Sequence, residues 1–379
     1  MKTFFSNKVV LITGAAGTVG REVVRQLIEL DPFEIRLLDN NESELFNLGN
    51  KYRSTPRMTL YLGDIRDARK LLNVTQGVDV IFHLAALKHV GLSEYNPFEA
   101  VQTNINGVKN LVQAAMANNV PRVIYTSSDK AVNPTNVMGT SKLMGERIMT
   151  AANIVNANGR QIFSSVRFGN VLGSRGSVVP IFAKQICSGK EVTVTDPRMT
   201  RFVMTVQEAA KMVLEAAIRA CGGEVLVTKM PALRIADLAE AMISLMAPRL
   251  GLDSEKITIK YVGARPGEKL YEELMTTEEV SRVIELPTMF AIMPSLKAFY
   301  HKINYSYGDE LPGRNKNPEI LSLKAPMSVA EIKDYLMRFA ILDEYLTSSC
   351  PLTAGYETPP LARGTAFSGI NNNFKSHSG

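Results

Sequence analysis

The feature that most constrains this chain lies near its start. Val9-Val10-Leu11-Ile12-Thr13 runs straight into Gly14, Gly17 and Gly20, spaced as TGxxGxxG, and a stretch of helical period follows. An apolar run of this kind reads as a strand buried on both faces. Glycines at this spacing let the backbone turn tightly and approach a pyrophosphate at the amino end of the next helix. A glycine triplet alone says little, because helix-to-sheet packing also selects glycine. The strand, turn and helix around it are what predict a dinucleotide site.

Short apolar runs go on alternating with helical-period segments as far as about residue 173. Strands are expected at 9–13, 35–39, 59–62, 78–84, 123–127 and 163–168, and helices at 20–30, 104–118 and 140–158. That rhythm is the βαβ pattern of a parallel sheet. It predicts an α/β fold: a Rossmann-type doubly wound parallel sheet over 1–173, to which later segments can return. Beyond residue 173, Gly176, Pro180, Pro197, Pro231 and Pro266 punctuate shorter elements, so 174–347 is expected to be mainly a smaller C-terminal substrate-binding lobe. Residues 348–379, rich in Gly, Ser, Asn, Thr and Pro, are expected to form a disordered tail.

Bulk properties narrow the function classes. The formal charge of +6 is spread without a Lys/Arg block, so no nucleic-acid partner is called for. Cys187, Cys221 and Cys350 stand far apart with no CxxC pair, which argues against a disulfide framework and against a metal site, and fits a reducing cytoplasm. No run approaches the length of a membrane span and the first residues lack a signal peptide, so no membrane insertion is expected.

Within the glycine loop, Ala16, Thr18 and Val19 join the three glycines as cofactor contacts. Asp39 ends the second expected strand, where a carboxylate can accept from both ribose hydroxyls and would repel a 2′-phosphate. The following Asn40-Asn41-Glu42 offers no arginine, so NAD is expected over NADP. Asp64 and Ile65, after the third strand, stand where a carboxylate and backbone amides could meet the adenine edge, with a plain turn as the other reading. His83-Leu84-Ala85-Ala86 closes the fourth strand, and small Ala85 and Ala86 let the backbone pass close to the nicotinamide side. His83 reads as a core histidine.

Together with Ser127-Ser128 after a strand and Lys142 on the next helix, these residues resemble the extended short-chain dehydrogenases/reductases, over about residues 6–290. That class normally has a tyrosine four residues before the lysine; here the position is Met138. The run Ser128-Asp129-Lys130-Ala131-Val132-Asn133-Pro134, followed by Met138-Gly139-Thr140-Ser141-Lys142, is similar to the UDP-N-acetylglucosamine 4,6-dehydratases of polysaccharide and nonulosonate biosynthesis. The resemblance implies a UDP-N-acetylhexosamine substrate, NAD as cofactor, Lys142 on the nicotinamide ribose, and a homodimer or higher homo-oligomer joined through the helices at 104–118 and 140–158. Members of that branch often carry an amino-terminal membrane region; with none here, a soluble short form is expected.

Such a dehydratase oxidises C4, removes the acidified C5 proton, expels the C6 hydroxyl as water and returns the hydride to C6. Lys130, with its pKa lowered by desolvation, is expected as the C5 base, and Asp129, kept protonated by burial, as the acid for the departing hydroxyl. Without a tyrosine, the C4 hydroxyl is left to Ser128 or to a water near Lys142. Retention or inversion at C5 stays open, with Met138 and the NAD preference leaning toward retention.

On the substrate side, the resemblance implies that Lys88 or His89 contacts the sugar or its phosphates. Asn170, Ser174 and Arg175, in a glycine-rich turn after the sixth strand, suit a diphosphate. Arg201 lies downstream. Arg265 and Glu268, in Arg265-Pro266-Gly267-Glu268-Lys269, look like the nucleotide-end motif, and Thr193 and Thr195 suit an edge strand beside the uracil. Two other readings compete: a UDP-sugar 4-epimerase, which normally needs the tyrosine, and a non-catalytic dinucleotide-sensing protein.

Overall fold

A computed structural model describes the protein over residues 1–155, 161–295, 303–311 and 321–346. Its strands are β1 (Val9–Thr13), β2 (Glu34–Asp39), β3 (Met58–Leu62), β4 (Val80–His83), β5 (Arg122–Ser128), β6 (Ile162–Phe168) and β7 (Asn170–Val171). They continue with β8 (Val192–Val194), β9 (Thr200–Met204), β10 (Val225–Thr228), β11 (Ala232–Arg234), β12 (Ile259–Tyr261), β13 (Val283–Glu285) and β14 (Met289–Ile292).

Among the described residues, one nine-stranded sheet dominates, in the order β13-β14-β10-β6-β5-β4-β1-β2-β3. From β3 across to β10 every pairing is parallel, and the β13-β14 hairpin closes the edge antiparallel. The chain runs outward from β1 to β3 and then returns to β4 on the other side of β1. This reversal opens a crevice at the carboxyl ends of β1 and β4, where doubly wound sheets bind ligands.

Two-residue alternation between two covered faces explains why Val10, Leu11 and Ile12 of β1 are all apolar. Val10 and Ile12 point to one face, under Val23, Val24 and Leu27 of helix Thr18–Glu29 and Val213 and Ala217 of helix Val206–Arg219. Leu11 points to the other, with Leu111 and Val112 of helix Gly107–Ala117 and Met149 and Ala152 of helix Val137–Val155. Burying each such aliphatic side chain stabilises the fold by about 1.5–3 kcal/mol.

A separate apolar cluster holds the lobe, built from helices Val178–Cys187, Ile235–Met246 and Val329–Arg338. The chain does not stay in that lobe after residue 173. β10 pairs with β6, and β13 and β14 follow it into the main sheet. β7, β9 and β11 form a three-stranded sheet, and β8 and β12 a two-stranded one.

Three sequence expectations need comment. The helix expected at 104–118 is a π-helix over Val101–Asn106 before it becomes α-helical at Gly107–Ala117, a change that apolar periodicity cannot reveal. Cys187 is disulfide-bonded whereas Cys221 is free; spacing along the chain sets no limit on distance in space. The tail at 348–379 lies outside the described residues. Among the described residues no helix is long and apolar enough to cross a membrane.

Candidate active site

Gly14 takes φ +70°, and a Cβ there would stand 2.6 Å from the amide nitrogen of Ala85. At Gly20 it would stand 2.2 Å from the Gly14 carbonyl oxygen. A side chain at either position would therefore drive the β1 turn away from β4 or from its own helix. Gly17 precedes helix Thr18–Glu29 without giving its first amides a side-chain cap, so that helix end is open to an anion. Val19 packs into the core below.

The carboxylate of Asp39 is turned toward this loop. Its Oδ2 accepts from the Ala16 N–H at 2.9 Å and its Oδ1 from the Asn41 N–H at 3.0 Å. Asn40 reaches Asp64 Oδ2 at 3.2 Å. Burial pushes the Asp64 pKa up, but hydrogen bonds from Arg66 outweigh it and hold the carboxyl below its usual range. Ile65 is buried beside Gly107, and Ala85 and Ala86 lead away from β4 beside Thr13. An open helix end, a cradle that no Cβ can enter and a carboxylate at the end of β2 together suit a dinucleotide. His83 shares a 2.6 Å hydrogen bond with Thr13; burial, helped by Lys142, drops its pKa to about 3, so it is a neutral core group.

β5 ends at Ser128, and the chain enters a single 3-10 turn, Asp129–Ala131. This tight turn lets neighbouring side chains converge. Ser128 Oγ donates to Asp129 Oδ1 at 2.9 Å, and Lys130 Nζ donates to the same oxygen at 3.0 Å. Lys130 Nζ also donates to Asn170 Oδ1 at 2.8 Å and lies 3.5 Å from Glu272 Oε1. Arg201 Nε stands 3.9 Å from that Glu272 oxygen. The amine is held inside a charged cluster, with its side chain only 20% exposed.

The expected lowering of the Lys130 pKa is corrected here. Burial does pull it down, but Asp129 and Glu272 outweigh burial and raise it. Glu272 is raised in turn, because burial and Asp129 prevail over Lys130 and Arg201. Asp129 Oδ2 and Glu272 Oε2 are buried without hydrogen-bond partners among the described residues, an unusual state for carboxylate oxygens.

Helix Val137–Val155 carries the next group. Met138 is buried, and Lys142, one turn later, donates to the Thr126 carbonyl at 2.9 Å with its amine 4.8 Å from the Tyr125 ring centre. Burial drops the Lys142 pKa to about 8 against the pull of Glu146. Gly139 lets the helix press on the Asp129–Ala131 turn, since a Cβ there would lie 2.2 Å from the Lys130 carbonyl oxygen.

The remaining candidates divide. Asn170 and Arg201 join the Lys130 cluster. Lys88 Nζ donates to the Arg175 carbonyl at 2.8 Å, and burial followed by Arg175 lowers its pKa. His89 lies against Gly176; burial, then Lys88, lowers its pKa. Ser174 is buried in the turn between.

Arg175 departs from its expected direction toward the substrate diphosphate. Its side chain donates to the Ala16 carbonyl at 2.6 Å and pairs with Glu44 at 3.0 Å, while its N–H meets Thr18 Oγ1 at 3.3 Å. It therefore covers the glycine loop. Thr193 Oγ1 is taken by Gln185 at 2.8 Å, and Thr195 Oγ1 contacts Met199. Glu268 accepts from the Arg265 N–H at 3.2 Å, bracing its own turn. That turn docks on the segment between Lys130 and helix Val137–Val155: the Gly267 carbonyl accepts from Thr135 and Asn136, and Lys269 donates to the Val132 carbonyl.

Several residues escaped the sequence reading. Asn104, buried in the π-helix, donates to the Leu87 carbonyl and to Ser141 Oγ at 2.9 Å each and accepts from the Leu87 N–H, so it fixes the β4 loop to the Lys142 helix. Glu272, Arg21 and Glu44 also escaped, since nothing in their local pattern marks them.

A protein-family profile described as "Polysaccharide biosynthesis protein" matches residues 10–294. A Methanocaldococcus jannaschii protein named "Uncharacterized membrane protein MJ1061" is 48% identical over 78% of this chain and 88% of its own length. A Campylobacter jejuni UDP-N-acetylglucosamine 4,6-dehydratase (inverting) is 39% identical over 77% of this chain and 85% of its own. A UDP-glucose 4-epimerase of Rickettsia canadensis is 37% identical over 76% and 83%. Among solved structures, Pen from Bacillus thuringiensis superposes with a TM-score of 0.82 at 40% identity, covering 89% of this chain and 99% of that one.

Proposed function

This chain belongs to the polysaccharide biosynthesis protein family, within the extended short-chain dehydrogenases/reductases, and on that footing we propose that it is an NAD-dependent 4,6-dehydratase of UDP-N-acetylglucosamine. The observation that carries the reading is the chain of contacts from Ser128 through Asp129 to Lys130, at 2.9 and 3.0 Å.

Gly14, Gly17, Gly20, Asp39 and Asp64 would hold the dinucleotide, with Lys142 toward its nicotinamide ribose. When bound, NAD would supply the hydride chemistry, an acceptor for the C4 hydride and its donor to C6. The chain's own residues manage the protons. Lys130 acts as its neutral amine, having lost its proton to solvent, beside an ionised Asp129. As C4 is oxidised, the proton lost by its hydroxyl passes by way of Ser128 Oγ to Asp129, which becomes the carboxylic acid.

The amine takes the C5 proton, and the acid protonates the C6 hydroxyl as its C–O bond breaks, releasing water. Lys130 then returns a proton to C5 as C6 receives the hydride. Asp129 is left ionised and Lys130 neutral, the state in which both began. Protons balance without a tyrosine, which accounts for Met138. Asn170 and Glu272 hold the Lys130 amine in register, while Lys88, His89 and Arg201 are assigned to the sugar and its phosphates.

An epimerase is the second reading, favoured by the Rickettsia relative's name. Epimerisation moves the C4 hydride and the C4 hydroxyl proton and has no need of an acid-base pair beside C5, so the Asp129-Lys130 contact favours dehydration. Incubating the purified protein with NAD and UDP-N-acetylglucosamine and measuring product mass separates the two. Dehydration removes one water, epimerisation leaves mass unchanged but inverts C4 by NMR, and a dinucleotide sensor alters nothing. Either of the last two results would overturn the proposal.

The enzyme is further proposed to work as a homo-oligomer. Thr140, Met144, Arg147, Ala151 and Ile154 leave an exposed stripe at helical spacing on helix Val137–Val155, a face that a second copy would cover.

A further inference from the structure

Three charged side chains meet over the glycine loop. Arg21, in the first turns of helix Thr18–Glu29, donates from Nε to the Ala16 carbonyl at 2.9 Å and pairs with Glu44 Oε2. Arg175 arrives from the far side of the crevice, donates to the same carbonyl at 2.6 Å and pairs with the same Glu44 oxygen at 3.0 Å. Glu44 lies in helix Glu42–Lys51, whose start is fixed by Asn41 Oδ1 accepting from the Glu44 N–H at 3.1 Å. The N–H of Ala16 is meanwhile held by Asp39. Both guanidiniums thus stand on one side of a residue whose other side is gripped by the carboxylate suited to the adenosine ribose.

We propose that Glu44, by holding Arg21 and Arg175, makes the adenosine end of this site select a dinucleotide with a free 2′-hydroxyl, so that rejection of a 2′-phosphate does not rest on Asp39 alone. The inference rests on the reading of the loop as a dinucleotide site. Arginine near this point is what sites accepting a 2′-phosphate use, because its planar fork matches phosphate oxygens. Two such forks are present, and neither belongs to the segment following β2.

What withholds them is the shared carboxylate. The charges of Asp39, Glu44, Arg21 and Arg175 cancel, leaving no net attraction for an added phosphate. All three members of the cluster are partly open to solvent, with side chains 33%, 56% and 30% exposed for Arg21, Arg175 and Glu44, so a ligand could reach them. Glutamine at position 44 would keep the shape, remove the charge and leave one net positive charge shared by two arginines.

The test measures Kd for NAD+ and NADP+ by calorimetry on the purified full-length chain, without turnover. The wild type should prefer NAD+, and Glu44→Gln should lower the ratio of the NADP+ to the NAD+ constant by about tenfold or more. Adding Arg175→Met to Glu44→Gln should reverse most of that gain. Glu42→Gln, an equal charge change on an exposed residue of the same helix, should leave the ratio alone. An unchanged ratio in Glu44→Gln, with NAD+ still bound, overturns the inference and spares the dinucleotide reading. An equal shift in Glu42→Gln also overturns it, by reducing the effect to general charge. A wild type that binds neither nucleotide overturns both.

Discussion

Glu272 brings a carboxylate oxygen to 3.5 Å from the Lys130 amine and buries its other oxygen without a hydrogen-bond partner among the described residues. The contact joins the segment that follows β12 to the turn that ends β5. It also bears on the chemistry, because each carboxylate beside Lys130 stabilises the ammonium form, and a base must lose that proton before it can act.

The sign of the Glu272 effect follows from this. Glu272 is one of the groups that raise the Lys130 pKa. Its removal in Glu272→Gln lowers that pKa, so the neutral amine becomes available at lower pH. The acid limb of the kcat/KM profile for dehydration should therefore move down by about one pH unit. A limb that stays in place, or moves up, would show that Lys130 is not the group titrating there.

Ser128 and Lys130 act at different steps in the proposed proton path. Ser128→Ala should slow the first appearance of reduced-cofactor absorbance by about 100-fold, the usual worth of a positioned proton acceptor. Lys130→Met should leave that absorbance rise in place while abolishing loss of water. Stopped-flow absorbance paired with product mass distinguishes them, and equal loss of both signals in the two variants would contradict the division of roles. The same reaction run in deuterated water, read at C5 by NMR, decides between the retention to which Met138 leans and the inversion in the name of the Campylobacter relative.

Arg167 makes a structural prediction. It is 1% exposed and is clamped by Glu146 at 2.7 Å and Glu279 at 3.0 Å. Arg167→Met should cost about 3–5 kcal/mol in chemical denaturation, since two buried carboxylates lose their partner. Burial would raise the Glu279 pKa, but Arg167 holds it below its usual value. The wild-type contribution is thus fully present above the normal carboxylate range and fades as pH falls through the lowered value, so the gap between the two proteins should narrow in acid. A constant gap would rule out the ion pair as its source.

The exposed stripe on helix Val137–Val155 can be tested by Met144→Glu combined with Ile154→Glu. Sedimentation velocity should show a smaller species than the wild type, with unchanged far-ultraviolet circular dichroism. A wild type that already sediments as a monomer would remove the assembly proposal.

What the sequence determined by itself was whatever depends on near neighbours. An apolar strand before three spaced glycines specifies a turn that only a few backbone angles allow. The Asp129-Lys130 pair after a serine strand converges because one tight turn suffices to bring the two side chains together. Tertiary structure decided the rest. Glu272 meets Lys130, Arg175 covers Ala16 instead of the substrate side, and Arg21 and Glu44 join it there, all across distances in the chain over which no periodicity persists. Long-range packing sets these contacts, as it sets the return of β10, β13 and β14 to the main sheet. Packing also reversed the direction of the Lys130 shift, because the field at a buried amine depends on every charge that the fold brings near it.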